Sequence, residues 1–195
     1  MDMVDLQKRL EGNRIQHLVL ILNKVPMTER LWIEACPELR SLQWRSMVPR
    51  LGMAIEEEPM VLFANGLSLG QWQSLNSLDL SLRRVQDEDI AKILGSLQCG
   101  LWSLNLNRTG FGPQATTALL FKVTKPGWRQ VPTDEPSLHR DTLERLWVRH
   151  TSRVYSTTVQ DFLCLLKNLK AFHASADLTD QDGAKGEADD VILWL

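Results

Sequence analysis

The residues of this 195-residue chain that could do chemistry are few and scattered. His139-Arg140-Asp141 matches the catalytic-loop triplet of protein kinases, whose aspartate accepts the substrate proton, but no glycine-rich loop, V-A-I-K lysine or D-F-G accompanies it in order. Chance accounts for the match. Asp180-Gln181-Asp182-Gly183 has acids at alternate positions and a glycine turn, as a calcium loop does. With that glycine in place, however, the first ligand position is Leu178 and the twelfth is Asp189 instead of a bidentate glutamate. A solvated acidic turn is expected there. The histidines, His17, His139, His150 and His173, form no H-x-x-x-H pair, so no metal site is expected. No G-x-S-x-G elbow, P-loop or G-x-G-x-x-G loop is present. Gly110-Phe111-Gly112-Pro113 precedes a helical segment, and such a start can bind an anion, although an ordinary turn uses the same residues. Enzymatic activity thus has no support in the sequence, and no cofactor is implied.

Composition narrows the partners. With 44% hydrophobic and 24% charged residues the chain has the balance of an ordinary globular protein. A net charge of -2 and a pI near 6.1 argue against general nucleic-acid binding, which leaves a basic footprint. No run of eighteen apolar residues exists, so no membrane span is expected, and Met1-Asp2-Met3-Val4-Asp5-Leu6 lacks the order of a secretory signal. The default expectation is a cytoplasmic or nuclear protein. Cys36, Cys99 and Cys164 contain no C-x-x-C pair and are read as reduced, structurally buried thiols.

Elements that could position a site come from a repeat. The spacing L-x-x-L-x-L recurs at Ile15/Leu18/Leu20, Leu39/Leu42/Trp44, Leu75/Leu78/Leu80, Leu101/Leu104/Leu106, Leu143/Leu146/Val148 and Leu169/Phe172/Ala174. Each unit is too small to bury its apolar face alone, so stacked units must share a continuous core. Helical spacing follows several triplets: residues 85–97 carry acids in the first turn, Pro113 is placed to open a helix over Ala115, Ala118 and Leu119, and Val159, Phe162, Leu163 and Leu166 make a third stripe. Strand then helix, repeated, is the predicted order.

The first unit, Ile15-x-x-Leu18-x-Leu20-x-x-Asn23-x-Val25, resembles the full leucine-rich-repeat signature, and three of the five intervals between triplets lie within that repeat's ~20 to 29 residues. Cys36-Pro37-Glu38-Leu39-Arg40-Ser41-Leu42, Cys99-Gly100-Leu101-Trp102-Ser103-Leu104 and Leu143-Glu144-Arg145-Leu146 are similar to the repeat junctions of ribonuclease-inhibitor-like and F-box-associated leucine-rich proteins, especially divergent fungal ones. The resemblance implies an α/β right-handed solenoid of about six irregular repeats over residues 1–176, with a parallel sheet on the concave face and helices on the convex face. Insertion loops are expected at about 52–72 and 122–142, the second protruding with Trp128 as its one aromatic residue. Residues 177–195 read as an acidic loop followed by the start of a truncated further repeat. The bridging asparagine of the family is replaced by Met47, Arg83, Thr109, Thr151 and Asp177 in the later repeats, where Thr109 and Thr151 can still bond locally but Met47 cannot. No F-box segment can be placed before Ile15.

Because side chains alternate across a strand, the positions between the apolar ones should line the concave surface. They are His17, Val19 and Ile21; Ser41, Gln43 and Arg45; Ser77, Asp79 and Ser81; Ser103, Asn105 and Asn107; Arg145, Trp147 and Arg149; Ala171, His173 and Ser175. Arg45, Asp79, Asn105, Asn107, Arg145, Trp147, Arg149 and His173 are the expected partner-binding residues, with Trp147 central because exposed tryptophan and arginine are enriched in binding hot spots. Alternatively, Trp147 is covered by the 122–142 loop. The resemblance implies a protein-interaction module, the substrate-recognition part of an F-box-like ubiquitin-ligase receptor, with an adaptor as partner only if an F-box lies outside this chain. A ribonuclease-inhibitor-like regulatory scaffold and a fragment without independent function are the alternatives.

Overall fold

The computed structural model describes residues 14–21, 36–45, 72–81, 85–123, 132–149, 151, 156–176 and 189–194. The leucine spacing becomes a sheet: β1 (His17–Ile21), β2 (Ser41–Arg45), β3 (Ser77–Asp79), β4 (Ser103–Asn105), β7 (Arg145–Val148) and β8 (Ala171–Ala176) run parallel in chain order. Parallel neighbours need a crossover, usually helical. Among the described residues, helix α1 (Asp87–Ser96) lies between β3 and β4, α2 (Pro113–Leu120) between β4 and β7, and α3 (Ser156–Leu165) between β7 and β8.

The register explains the core. Leu18, Leu42, Leu78, Leu104, Leu146 and Phe172 stand opposite one another across six strands, and all but the half-buried Leu18 are buried. The first leucine of each later triplet, Leu39, Leu75, Leu101, Leu143 and Leu169, lies beneath the same row. Ile90 and Ile93 of α1, Ala115, Ala118 and Leu119 of α2 and Phe162 of α3 join this cluster, so the helices cover the face on which the leucines lie. Phe162 stacks at 6.1 Å from Phe111 and 5.9 Å from Phe172, tying α3 to the sheet. At roughly 1.5 to 3 kcal/mol for each large apolar side chain fully buried, this shared row is the main source of stability.

Several expectations change. The stretch from Lys122 to Thr142 holds an antiparallel pair, β5 (Phe121–Val123) with β6 (Pro132–Pro136), followed by a turn that grips the helices. Ser137 donates its hydroxyl to the Leu119 carbonyl and its backbone N–H to Leu120 at 3.1 Å, while the His139 ring bonds the Leu94 carbonyl at 3.1 Å. Those carbonyls belong to the last turns of α2 and α1, where a helix has no N–H donors of its own to satisfy them. The end of the insertion is therefore anchored instead of protruding. Trp128 and most of residues 52–72 lie outside the described residues, as do Asn23, Met47, Arg83 and Asp177.

Cys36 is buried, as expected. Cys99 is half-buried, its thiol donating to the Leu75 carbonyl at 2.9 Å, and burial pushes its pKa up to about 11. Cys164 is exposed and Leu163 is 39% exposed, because the apolar run Phe162–Leu166 circles more than one helix face and only Phe162 and Leu166 are fully under the sheet. The apolar segment 191–194 does form a strand, β9 (Asp189–Trp194), but it pairs antiparallel to β8, opposite to the direction of a further strand-helix repeat.

Candidate protein-binding face

A parallel sheet ordinarily has both faces covered. Among the described residues the helices cover one. The alternate positions form two cross-strand rows on the other: His17, Ser41, Ser77, Ser103, Arg145 and Ala171, then Val19, Gln43, Asp79, Asn105, Trp147 and His173. Most are half-buried or exposed, with Val19 at 56%. The structure thus brings Asp79, Asn105, Trp147 and His173 into one row, as the strand alternation predicts.

Their roles differ. Asp79 is buried, its Oδ1 accepting the Ser81 backbone N–H at 2.9 Å; Ser81 and Ala171 are also buried, against expectation. Asn105 makes the same turn with the Asn107 N–H at 3.1 Å. These side chains end their strands by bonding two residues ahead, a habit of Asp and Asn, and this local bond withdraws Asp79 from the surface. Asn107 accepts the Arg149 backbone N–H at 2.7 Å and so links the segments that follow two neighbouring strands. Thr109 and Thr151 donate to Leu106 and Val148 at 2.7 and 2.9 Å, the local bonds expected of them.

Trp147 is half-buried between Asn105 and His173 in the row. The described part of the insertion bonds α1, α2 and Leu101, on the helix side of the sheet. His173 is half-buried, with its Nε2 out of solvent and without a hydrogen-bond partner among the described residues. Arg149 is half-buried; the Arg45 side chain lies outside the described residues.

Trp102 was not among the residues marked by alternation, yet it is 37% exposed and the Arg145 guanidinium lies 4.4 Å over its ring. Register carries the missing signal: the Arg145 backbone N–H donates to the Trp102 carbonyl, so the last residue before one strand meets the first of the next. Glu144 completes the group. Lys170 at 2.8 Å, then a hydrogen bond from Trp102, hold its carboxyl below the usual range.

The other chemical candidates are absorbed structurally. The N–H groups of Gly112, Gln114 and Ala115 at the start of α2 point to the Asp87 carboxylate at 2.9, 3.0 and 2.8 Å. The anion position suggested by Gly110-Phe111-Gly112-Pro113 is filled by the chain's own side chain. In the His139-Arg140-Asp141 triplet, His139 is buried and bonded at both ring nitrogens. Among the described residues no three His, Cys, Asp or Glu side chains are grouped to hold a metal ion, and no helix is long and apolar enough to cross a membrane. No protein-family model matches the chain, and no curated protein matches its sequence.

Proposed function

We propose that this chain is an irregular leucine-rich-repeat solenoid that binds protein clients on the uncovered face of its sheet. One observation carries the reading: among the described residues the second face of a parallel sheet carries no helix and presents Val19, Arg145 and Trp147. The leucine row in register across the six parallel strands supports the repeat architecture. Protein is the partner class that suits a broad face of mixed aromatic, basic and polar groups, while the net charge of -2 disfavours nucleic acid.

Trp147→Ala is expected to weaken client binding by about 2 kcal/mol, the loss typical of a central tryptophan. Affinity measured against a client recovered by cross-linking, together with the melting temperature, tests it. Unchanged affinity with lowered stability would show that Trp147 serves packing alone. From the resemblance at the repeat junctions, the clients are proposed as substrates of an F-box-like ubiquitin-ligase receptor. An intact gene product without an F-box would overturn that finer step and favour a regulatory scaffold.

A further inference from the structure

We propose that Arg145, stacked on Trp102, is a carboxylate-binding subsite that receives an acidic segment of a protein client, a step that rests on the protein-binding reading of the face. The guanidinium lies 4.4 Å over the indole, which is itself 37% exposed. Arginine stacks through its plane and keeps its N–H donors in that plane, so an arginine lying on a ring still offers its fork. Among the described residues no hydrogen bond from the Arg145 guanidinium is made, although the side chain is exposed. Its carboxylate neighbour Glu144 pairs with Lys170 at 2.8 Å and acts on Arg145 through charge alone, without a hydrogen bond among the described residues. The guanidinium thus rests over the ring with the Glu144 charge nearby, and its N–H donors remain open to a further acceptor.

The row that leads to Arg145 is also made of donors. Ser41, Ser77 and Ser103 stand in register before it, half-buried, and among the described residues none of their hydroxyls is hydrogen-bonded. Strand spacing sets them about 4.8 Å apart. A client laid across the strands would find hydroxyls along its path and a guanidinium at the end. Bidentate Arg–carboxylate pairing gives both strength and geometry, and a guanidinium already resting on a ring loses less entropy on binding.

Charge balance selects a carboxylate over a phosphate. A dianionic phosphate calls for a second cation, and Lys170, which precedes the residue opposite Arg145, is committed to Glu144. A single negative charge matches a single guanidinium.

Calorimetric titration of the chain at low salt with octaglutamate, octaglutamine and a serine octapeptide phosphorylated at alternate residues tests the subsite. Octaglutamate is expected to bind and octaglutamine not. Arg145→Ala should weaken octaglutamate by about tenfold, and Arg145→Lys by about threefold, because lysine keeps the charge but loses the planar fork. Melting temperatures near wild type are expected, since the side chain is exposed. No octaglutamate binding by the wild type, equal binding by Arg145→Ala or by Arg145→Lys, or tighter binding of the phosphopeptide would each overturn the proposal. A client lost by Trp147→Ala but held by Arg145→Ala would remove this subsite and leave the protein-binding face standing.

Discussion

Asp87→Ala should lower the unfolding free energy by about 3 kcal/mol, as read by urea unfolding at neutral pH. Its carboxylate accepts three backbone N–H groups at 2.8 to 3.0 Å, two of them on the buried residues Gly112 and Ala115. Hydrogen bonds to a charged group contribute roughly 1.5 to 3 kcal/mol each, but the exposed Gln114 N–H can turn to water, so the sum is discounted. Asp87→Asn keeps one acceptor and should cost about half as much. Gly112 supplies the control. A Cβ there would stand 2.8 Å from the Asp87 carboxylate, so Gly112→Ala should destabilise the wild type and do far less when Asp87 is already alanine. Additive losses, or a loss below about 1 kcal/mol for Asp87→Ala, would show that the carboxylate does not hold the helix start.

His139→Leu is the second large effect, also about 3 kcal/mol at pH 7.5. Leu101 donates its N–H to Nδ1 at 3.2 Å, so Nδ1 must carry the lone pair and Nε2 the proton that meets the Leu94 carbonyl at 3.1 Å. Only the neutral ring fits both partners. Leucine fills similar space and leaves a buried donor and acceptor unpaired, each costing roughly 1 to 3 kcal/mol. Burial holds the His139 pKa below its usual 6.5. The unfolded chain therefore takes up the proton first as pH falls. Stability from this group is complete above 6.5 and declines below it, at no more than about 1.4 kcal/mol per pH unit, until the folded ring titrates as well. Unfolding at pH 7.5 and 5.5 should show a smaller acid loss in His139→Leu than in the wild type. An identical pH dependence would exclude His139 as the titrating group.

These two residues also mark the boundary of what the sequence makes legible. The triplets place the leucine row because each strand repeats the same alternation, and a repeated pattern is read from spacing alone. The register then follows in chain order, so the row containing Asp79, Asn105, Trp147 and His173 follows from spacing as well. What spacing does not convey is which side chain leaves its row. Asp79 turns to the backbone of Ser81, and nothing in the L-x-x-L-x-L pattern distinguishes it from an outward aspartate. His139 sits in a proline-containing insertion with little periodicity, and its two partners lie 45 and 38 residues away. Trp102 gains its role from Arg145, one unit later, through a contact that crosses between strands. Asp87, read as a helix-dipole acid on α1, reaches the start of the following helix. Local pattern determines the repeated contacts, while partners that occur once are determined by how the units meet.

The bond from Asp87 to α2 also bears on where the molecule could be divided. A boundary drawn between repeats would place Asp87 in one piece and Gly112, Gln114 and Ala115 in the next. Deleting or exchanging the unit that carries α1 would strip the following helix of the acceptor for its first amides, even if every leucine remained in register. The sequence is written in single repeats, but the smallest interchangeable module at this point is a repeat together with the opening turn of its successor.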